Sequence, residues 1–488
     1  MAFKDLRDWM EKLKKEGDFK NISCEVDWNL EIADIERKVL DEDGPVLLFT
    51  NIKDYQDTLC KKFFIGSLAS WRKIAWALGL PPDTPPPQLM REQQKLSHQP
   101  IKPVEVKTGP VKENIIPEKE VDLFQFPVLK YHELDGGRYL STFNGVVTKD
   151  PETGWVNIGL YRGMVHEDRK TIGVLLVMDS HWGRMASKYI RLNKPMEVAY
   201  VFGGDPLLPY VACSGYEPGV CEYDILGGLR REPVELVKCE TVDLYVPANA
   251  EIVIEGTISL DPKTWKVEGP FGEYTGYYGG LRSPKPWVKV TCITHRNDPI
   301  LQGSVEGHPY DDGALIESLT HSSFVLDHLA RTVQGVLDVW VPPVTHGNDI
   351  VVKIHKTYQG QAKQVAAAIW SLTTWFYKNV MVVDEDIDIH DPDQLLWAFS
   401  WRVWDPDEDI SVLRGCQGSI LDPSIPPHLK DPAQMGGAGR WHRLCIDATK
   451  DWRLEPLPEW GEGAKFPPPN RYLPAPQRIL DRWQEYGF

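Results

Sequence analysis

Three short segments of this 488-residue chain contain residue types that could carry out chemistry. In the first segment, residues 157–162 read Asn-Ile-Gly-Leu-Tyr-Arg. The side-chain oxygen of Asn157 could bind a hard metal ion, Gly159 permits close approach to the backbone, and Arg162 could grip a carboxylate with two hydrogen bonds. An ordinary barrel strand with a surface arginine explains this short segment about equally well.

The second segment follows a strongly apolar stretch. Residues 178–183 read Met-Asp-Ser-His-Trp-Gly, and a histidine that ends a strand and precedes a glycine could bind a metal or a phosphate. A single histidine is more often structural, so His181 alone does not predict a site.

The third segment contains two carboxylates. Glu268 and Glu273 lie five residues apart within Glu-Gly-Pro-Phe-Gly-Glu-Tyr-Thr-Gly-Tyr, residues 268–277. On a straight strand this odd spacing would put them on opposite faces. The intervening Gly-Pro-Phe-Gly favours a loop, in which both side chains could reach one pocket. Paired carboxylates beside an arginine can divide acid and base roles by pKa, whereas two solvated loop acids are the commoner arrangement.

The bulk composition narrows the class of protein that presents these segments. A formal net charge of −16 and a pI near 5.3 argue against a nucleic-acid partner and against an anionic membrane surface. No apolar stretch is long enough to span a membrane, and the first residues lack the apolar core of a secretory signal. The eight cysteines are scattered without a Cys-x-x-Cys pair, which indicates reduced thiols. We predict a cytoplasmic protein.

The order of elements predicts an α+β multidomain chain, too long for one hydrophobic core. The N-terminal α/β domain, residues 1–110, begins with apolar residues at helical spacing, 6, 9, 10 and 13, stopped by Gly17. It continues with predicted helices at 32–40 and 67–80 and a strand at 46–49. The proline run at 81–87 cannot continue a helix, so we expect it to end this domain and to be followed by a linker.

The middle and the end of the chain differ in the pattern of apolar and polar residues. Residues 111–312 contain short alternating runs bounded by turns, with strands expected at 250–260 and 287–294, which predicts a split β-barrel. Residues 313–488 return to helical spacing at 314–333 and 361–375, with strands at 351–354 and 380–383, which predicts a C-terminal α/β domain. We expect the tail, rich in Pro and Trp at 456–476, to pack along a surface or a neighbouring subunit.

Taken together, the motifs resemble one enzyme family. Asn-x-Gly-x-Tyr-Arg at 157–162, followed about a hundred residues later by Glu-Gly-Pro-Phe-Gly-Glu-x-Thr-Gly-Tyr-Tyr at 268–278, is similar to the UbiD family of decarboxylases. The stretches between them fit the same family in order and spacing: residues 227–230, 237–241, 246–248 and 251–256. The resemblance runs across nearly the whole chain, including its three-domain order and a flavin-binding barrel.

The resemblance implies a cofactor and two metal ions. Enzymes of this family hold prenylated FMN through its phosphate, bridged by Mn²⁺ (or Mg²⁺) with K⁺ nearby. The family's metal ligands fall on Asn157, His181 and Glu222, a set suited to such cations. The implied cofactor-binding residues are Asn157, Ile158, Gly159, Leu160, Tyr161, Arg162, Ser180, His181, Glu222 and Lys363. Carbonyls and hydroxyls around Ala212 and Ser214 are the implied K⁺ site.

The resemblance also implies the reaction. The family's catalytic residues fall on Arg162, Glu268 and Glu273, and the expected activity is reversible, non-oxidative decarboxylation of an aromatic acid. Loss of carbon dioxide from a ring carbon leaves an electron pair without a resonance sink, which only a cofactor can provide. Arg162 would orient the carboxylate, and Glu273 would protonate the carbon. The implied partners are the aromatic acid, carbon dioxide, a flavin prenyltransferase that supplies the cofactor, and further copies of the chain in a homodimer or homohexamer.

Substrate identity and two other functions remain open at this stage. His308 could contact a phenol or could be a loop histidine satisfied by a neighbour, and Tyr274 could border the substrate. A split-barrel FMN oxidoreductase would need nicotinamide, and no Gly-x-Gly-x-x-Gly follows a strand. The alternative of a non-catalytic scaffold subunit of a carboxylase is disfavoured by the retained Arg162, Glu268 and Glu273 and by the retained metal ligands.

Overall fold

The computed structural model describes residues 3–373, 375–430, 440–470 and 475–487. The first helix forms as its apolar spacing predicts, because Leu6, Trp9 and Leu13 are fully buried on one face. The Asp5 side chain accepts from the backbone N–H of Asp8, and Gly17 ends the helix at φ 76°. The N-terminal elements are α1 (Leu6–Glu16), β1 (Phe19–Ile22), α2 (Glu31–Asp41), β2 (Val46–Phe49), β3 (Lys62–Ile65), α3 (Trp71–Ala77) and α4 (Pro86–Ser97).

The expectation of a linker after the proline run is wrong. Pro86 and Pro87 occupy the first turn of α4, where the missing N–H groups would have no partner in the helix. This helix packs on the C-terminal domain: Ser323 donates to Gln93 at 2.9 Å, and Gln94 donates to Asp327 at 2.8 Å. Helix α3 is also shorter than the predicted 67–80, because the Ser70 side chain caps it by accepting from the backbone N–H of Lys73.

The central part of the chain forms the open, curled sheet that the alternating pattern predicts. Its strands run in the order β6-β9-β10-β19-β14-β11-β7-β8, with β5 added to β19, and the neighbouring pairs are antiparallel. The elements are β4 (Val104–Glu105), β5 (Asn114–Pro117), β6 (Arg138–Ser141), β7 (Gly145–Lys149), β8 (Val156–Gly159), β9 (Gly163–Val165), β10 (Thr171–Val174), α5 (His181–Leu192), β11 (Met196–Phe202), α6 (Leu207–Cys213), α7 (Glu222–Arg230), β12 (Glu235–Lys238), β13 (Tyr245–Pro247), β14 (Ile252–Ser259), β15 (Lys266–Glu268), β16 (Phe271–Gly272), β17 (Tyr278–Gly279), β18 (Ser283–Lys285), β19 (Trp287–His295) and β20 (Ile300–Gly303).

One strand of this region belongs to a different sheet. Strand β20 pairs in parallel with β3, so the N-terminal sheet has the order β1-β2-β3-β20. The chain therefore returns to the N-terminal layer after it has built the barrel, and the predicted division at residue 110 does not separate the two sheets.

The C-terminal part is an α/β layer around a mixed sheet in the order β21-β22-β23-β25-β24. Its elements are α8 (Asp312–Thr332), β21 (Val336–Trp340), β22 (Asp349–Ile354), α9 (Gln361–Trp370), β23 (Asn379–Asp384), α10 (Pro392–Arg402), α11 (Pro406–Asp409), β24 (Ile410–Gln417), β25 (Arg440–Ala448) and α12 (Gln477–Leu480). Helix α9 ends earlier than the predicted 361–375. Part of the predicted tail, residues 471–474, lies outside the described residues.

Helices that could cross a membrane are missing from the part of the chain that the structure describes.

Candidate active site

A cavity of about 610 Å³ lies between the barrel sheet and the C-terminal layer. Pockets of this size accommodate a cofactor or a drug-sized ligand. Its barrel wall is built by residues 157–162, 180 and 181 together with Glu273, and its opposite wall by side chains of α8 and of the loops after β21 and α9. The structure thus brings the first two sequence segments and one carboxylate of the third to a single space.

Strand β8 presents its backbone to this cavity where it ends. A Cβ atom at Gly159 would lie 2.3 and 2.4 Å from ring carbons of Tyr161 and 2.5 Å from its hydroxyl oxygen, so glycine lets that ring fold back over the strand. Tyr161 stacks on Trp182 with 3.9 Å between the ring centroids, and its hydroxyl donates to Asn157 Oδ1 at 3.1 Å. The segment is therefore fixed by its own side chains.

Arg162 joins the two carboxylates of the third segment. Its Nε and Nη2 lie 3.0 and 2.9 Å from the two oxygens of Glu268, and its Nη1 donates to Glu273 Oε1. The exposed fractions of the three side chains are 8%, 0% and 7%. The loop between β15 and β16 turns both carboxylates to the same side.

Burial and charge act in opposite directions on this group. Burial favours the neutral form of Arg162, but the charges of Glu268 and Glu273 outweigh it and raise the pKa of the guanidinium. Burial also raises the pKa of Glu273, since one arginine compensates it only in part. For Glu268 the balance is reversed, because Arg162 and Lys285 together lower the pKa of its carboxyl below the ordinary value despite burial.

Two residues that contact Glu268 lie outside the sequence motifs described above. Lys285 Nζ lies 3.0 Å from Glu268 Oε2, and the Tyr139 hydroxyl donates to Glu268 Oε1 at 3.0 Å. Both side chains are buried, and they come from β18 and β6. Since they reach the carboxylate only through the folded sheet, spacing in the sequence could not identify them.

The three predicted metal ligands form a second buried group. Asn157 Nδ2 donates to Glu222 Oε1 at 2.8 Å and lies 3.3 Å from His181 Nδ1, and the backbone N–H of Ile158 donates to Glu222 Oε2 at 2.8 Å. His181 is the first residue of α5, where Ser180 caps the helix, rather than the end of a strand as expected. Glu222 opens α7.

The charges of this group fit a divalent cation. Burial raises the pKa of Glu222 to about 8, because only amide groups donate to it in these contacts. Burial, together with the nearby Arg184, lowers the pKa of His181 to about 4, which keeps its ring neutral and able to bind a metal. A carboxylate, an imidazole and an amide oxygen side by side are suitable ligands for Mn²⁺ or Mg²⁺.

Lys363 and His308 lie away from the cavity wall. Lys363 is on α9 with a half-exposed side chain, 3.9 Å from Glu408, so this geometry does not support the prediction that it binds the cofactor phosphate. His308 Nε2 lies 3.1 Å from Asp41, and its Nδ1 accepts from the backbone N–H of Tyr310, as a loop histidine satisfied by neighbours would. Ala212 and Ser214, the expected K⁺ site, do line the cavity.

The C-terminal wall contributes polar side chains that sequence reasoning missed. His346 is 5% exposed, and its Nδ1 lies 3.3 Å from Glu317 Oε2. Burial opposes its protonation, but Asp311 and Glu317 outweigh that effect and raise its pKa. Tyr274, which the sequence did suggest as a neighbour of the substrate, also lines the cavity, with its ring centroid 5.5 Å from that of His346. A ligand in the cavity would meet hydrogen-bonding groups on both walls.

Comparison with known proteins agrees with this architecture. Family models of 3-octaprenyl-4-hydroxybenzoate carboxy-lyase match in three parts: the N-terminal domain at residues 10–93, the Rift-related domain at 102–309 and the C-terminal domain at 314–448. A phenolic acid decarboxylase of Sedimentibacter hydroxybenzoicus is 33% identical over 94% of each chain.

Solved structures of similar enzymes cover all or nearly all of the chain. The closed form of the vanillic acid decarboxylase of Sedimentibacter hydroxybenzoicus has a TM-score of 0.86 at 31% identity, covering 100% of this chain and 98% of that one. An evolved dimeric form of the UbiD-class enzyme HmfF from Pelotomaculum thermopropionicum, in complex with prFMN, has a TM-score of 0.77 at 29% identity, covering 93% and 96%.

Proposed function

The chain belongs to the UbiD family of flavin-dependent carboxy-lyases, and from that premise we propose that it decarboxylates a hydroxylated aromatic acid with prenylated FMN. The observation that carries the proposal is the buried Arg162 that joins Glu268 and Glu273 at the wall of the cavity. A non-catalytic scaffold subunit would have no use for two buried carboxylates on one guanidinium. A hydride-transferring oxidoreductase would not need them either.

The three side chains divide the work according to their surroundings. Arg162 has five N–H donors, of which the contacts with Glu268 and Glu273 use three. The others are available to orient the carboxylate of the substrate. Burial raises the pKa of Glu273, which favours its acid form, and this group delivers the proton to the ring carbon that loses carbon dioxide. Glu268 stays ionised and fixes the guanidinium.

The cofactor site in this proposal is the barrel wall of the cavity. The chemistry that prenylated FMN supplies when bound is a sink for the electron pair that departing carbon dioxide leaves behind. Residues 158–161 would line the flavin, and Ser180, at the start of α5, would lie near its phosphate. A flavin prenyltransferase of the cell would supply the cofactor.

The proposal assigns Mn²⁺ or Mg²⁺ to Asn157, His181 and Glu222. The cation would neutralise the buried carboxylate and bind the cofactor phosphate. We further propose that K⁺ binds near Ala212 and Ser214. The proposed working form is a homodimer or homohexamer, and the proposed location is the cytoplasm. At high carbon dioxide or bicarbonate concentration, the same groups would carboxylate the arene.

Hydroxylated benzoic acids are the proposed substrate class for two reasons. The relatives described above are named for vanillic and phenolic acids. In this chain, His346 and Glu317 place a hydrogen-bonding pair on the wall opposite the barrel, where a ring hydroxyl could be bound. Such a pair favours a substrate with the hydroxyl over one without it.

The test is to produce the chain together with a flavin prenyltransferase and to purify it without oxygen. Absorbance and mass of the bound cofactor would be recorded, and a panel of hydroxylated and unsubstituted aromatic acids would be offered with Mn²⁺ and K⁺. We expect bound prenylated FMN and release of carbon dioxide from hydroxylated acids. A folded protein that takes up no prenylated flavin would refute the proposal.

A further inference from the structure

Lys285 is a lysine with no exposed side-chain surface and three close oxygen partners. Its Nζ lies 3.0 Å from Glu268 Oε2, 2.8 Å from the backbone carbonyl of Glu268 and 2.7 Å from that of Leu281. An ammonium group has three N–H donors, so these contacts use all of them. Lys285 does not line the cavity and has no free donor to offer a ligand.

The hairpin that follows Glu268 is shaped around this ammonium. Strands β15 and β18 pair with Glu268 opposite Ser283, which brings Lys285 back beneath the carboxylate. Gly269 has φ 82°, and a Cβ there would lie 2.4 Å from the Gly280 carbonyl and 3.1 Å from Lys285 Nζ. Only glycine leaves room for the lysine at this point of the turn.

Lys285 makes the two carboxylates on Arg162 unequal. Glu268 accepts four hydrogen bonds, two from Arg162, one from Tyr139 and one from Lys285, which fills the acceptor positions of a carboxylate. A proton on Glu268 would displace one of these donors. Glu273 receives only Arg162 among the contacts described, and it faces the cavity.

We propose that Lys285 is a positioning residue that keeps Glu268 ionised, so that the one exchangeable proton of the pair resides on Glu273, facing the substrate. This inference rests on the proposed function, since it assigns the acid role to Glu273. Without Lys285, two buried carboxylates would share one arginine, and either could hold the proton. Lys285 acts through Glu268 and does not touch the substrate.

Other charged and titratable groups face the pair, and all of them remain in place when Lys285 is changed. Arg162 and Tyr139 contact Glu268 directly. The charge of Glu268 acts on His166, whose Nε2 is 3.2 Å from the backbone carbonyl of Val267. The charges of Asp135 and Glu306 act on Glu273. Glu306 also lines the same cavity. The variants below change the group at position 285 and leave these neighbours in the sequence.

The first measurement is the pH dependence of kcat/KM for Lys285→Met, Lys285→Gln and Lys285→Arg with one substrate. Loss of the positive charge raises the proton affinity of Glu268, so we expect the acid limb to move to higher pH by about 1 to 3 units in the Met and Gln variants. Lys285→Arg, which keeps the positive charge, should return the acid limb to the pH at which it lies in the parent protein. A uniform loss of activity at every pH, with the limb unmoved, would mean a merely structural role and would overturn the proposal.

The second measurement needs no activity: infrared spectra of the protonated carboxyl band in the full chain. In the parent protein, one component of this band should belong to Glu273 and disappear in Glu273→Gln, whereas in Lys285→Met or Lys285→Gln that component should weaken and a second component, from Glu268, should appear. A band that is unchanged in the Lys285 variants would overturn the role of Lys285. If no aromatic acid is decarboxylated, the proposed function fails, and the infrared comparison still decides this inference.

Discussion

Arg162 and Glu268 form a two-point ion pair in which both oxygens of the carboxylate face nitrogen atoms of one guanidinium, at 3.0 and 2.9 Å. The third contact of the guanidinium reaches Glu273 from its remaining side. A planar, forked group can bind two carboxylates at fixed angles, whereas an ammonium is a single point of charge. The relative position of the two acids therefore depends on arginine at this place.

Arg162→Lys is expected to keep the charge and lose the geometry. A single ammonium nitrogen cannot occupy the three positions that Nε, Nη1 and Nη2 hold against Glu268 and Glu273, so decarboxylation should fall by more than about 10²-fold. Arg162→Met leaves Glu273 without its cation and Glu268 with Lys285 alone, and should destabilise the fold by about 3–5 kcal/mol. Carbon dioxide release and thermal unfolding of both variants test this, and a lysine variant with full activity would contradict it.

Glu273→Gln is expected to remove the proton donor while keeping the shape of the side chain. Since general acid catalysis contributes about 10²–10⁴-fold, the rate should fall by that factor while cofactor content stays unchanged. Glu306→Gln is the matched control, because it alters another carboxyl on the wall of the same cavity. We expect a smaller loss there, and equal losses in the two variants would argue against Glu273 as the acid.

The alkaline limb of the rate profile should follow the protonation of Glu273. Burial raises the pKa of this carboxyl above its ordinary value, so the acid form persists to higher pH than in an exposed glutamic acid. Activity should be present below that raised pKa and should decline as pH rises through it. The measurement is kcat against pH at saturating substrate, where a rate that increases steadily with pH would contradict this assignment.

Sequence patterns predicted those helices and strands that are defined by residues close together in the chain. The apolar spacing of α1 and its glycine stop are sufficient to define that helix. The proline run misled because two of its residues begin α4, and only packing on α8 shows that this helix forms. Strand β20 could not be assigned to the N-terminal sheet, because its partner β3 lies far away in sequence.

The same contrast holds at the site. The resemblance to one family identified Arg162, Glu268 and Glu273 together, and the structure places them in contact. The sequence did not identify Lys285, because its contacts include backbone carbonyls, which no sequence motif records. The sequence did not identify His346 either. The cavity forms between domains, so the neighbours of His346 depend on how the domains pack and not on the spacing of residues in the sequence.

Removal of the divalent metal should release the cofactor, and Glu222→Gln should reproduce that effect. The substitution removes the only charged ligand of the predicted set, so Mn²⁺ affinity should fall at least about tenfold. Asp224→Asn is a matched control, because it changes a carboxylate of the same first turn of α7 that pairs with Lys102. Metal analysis and flavin absorbance after treatment with a chelator provide the measurement, and equal metal binding in both variants would contradict the assigned site.

His346→Phe should weaken selection for hydroxylated substrates without abolishing the reaction. The variant keeps a ring of similar size and loses the groups that His346, held by Glu317, offers to a ring hydroxyl. A hydrogen bond to a charged group contributes about 1.5–3 kcal/mol, so kcat/KM for a hydroxybenzoate should fall about 10- to 100-fold relative to that for the unsubstituted acid. Competition between the two acids measures this ratio directly. If both acids lose activity by the same factor, His346 supports the fold of the wall and does not select the substrate.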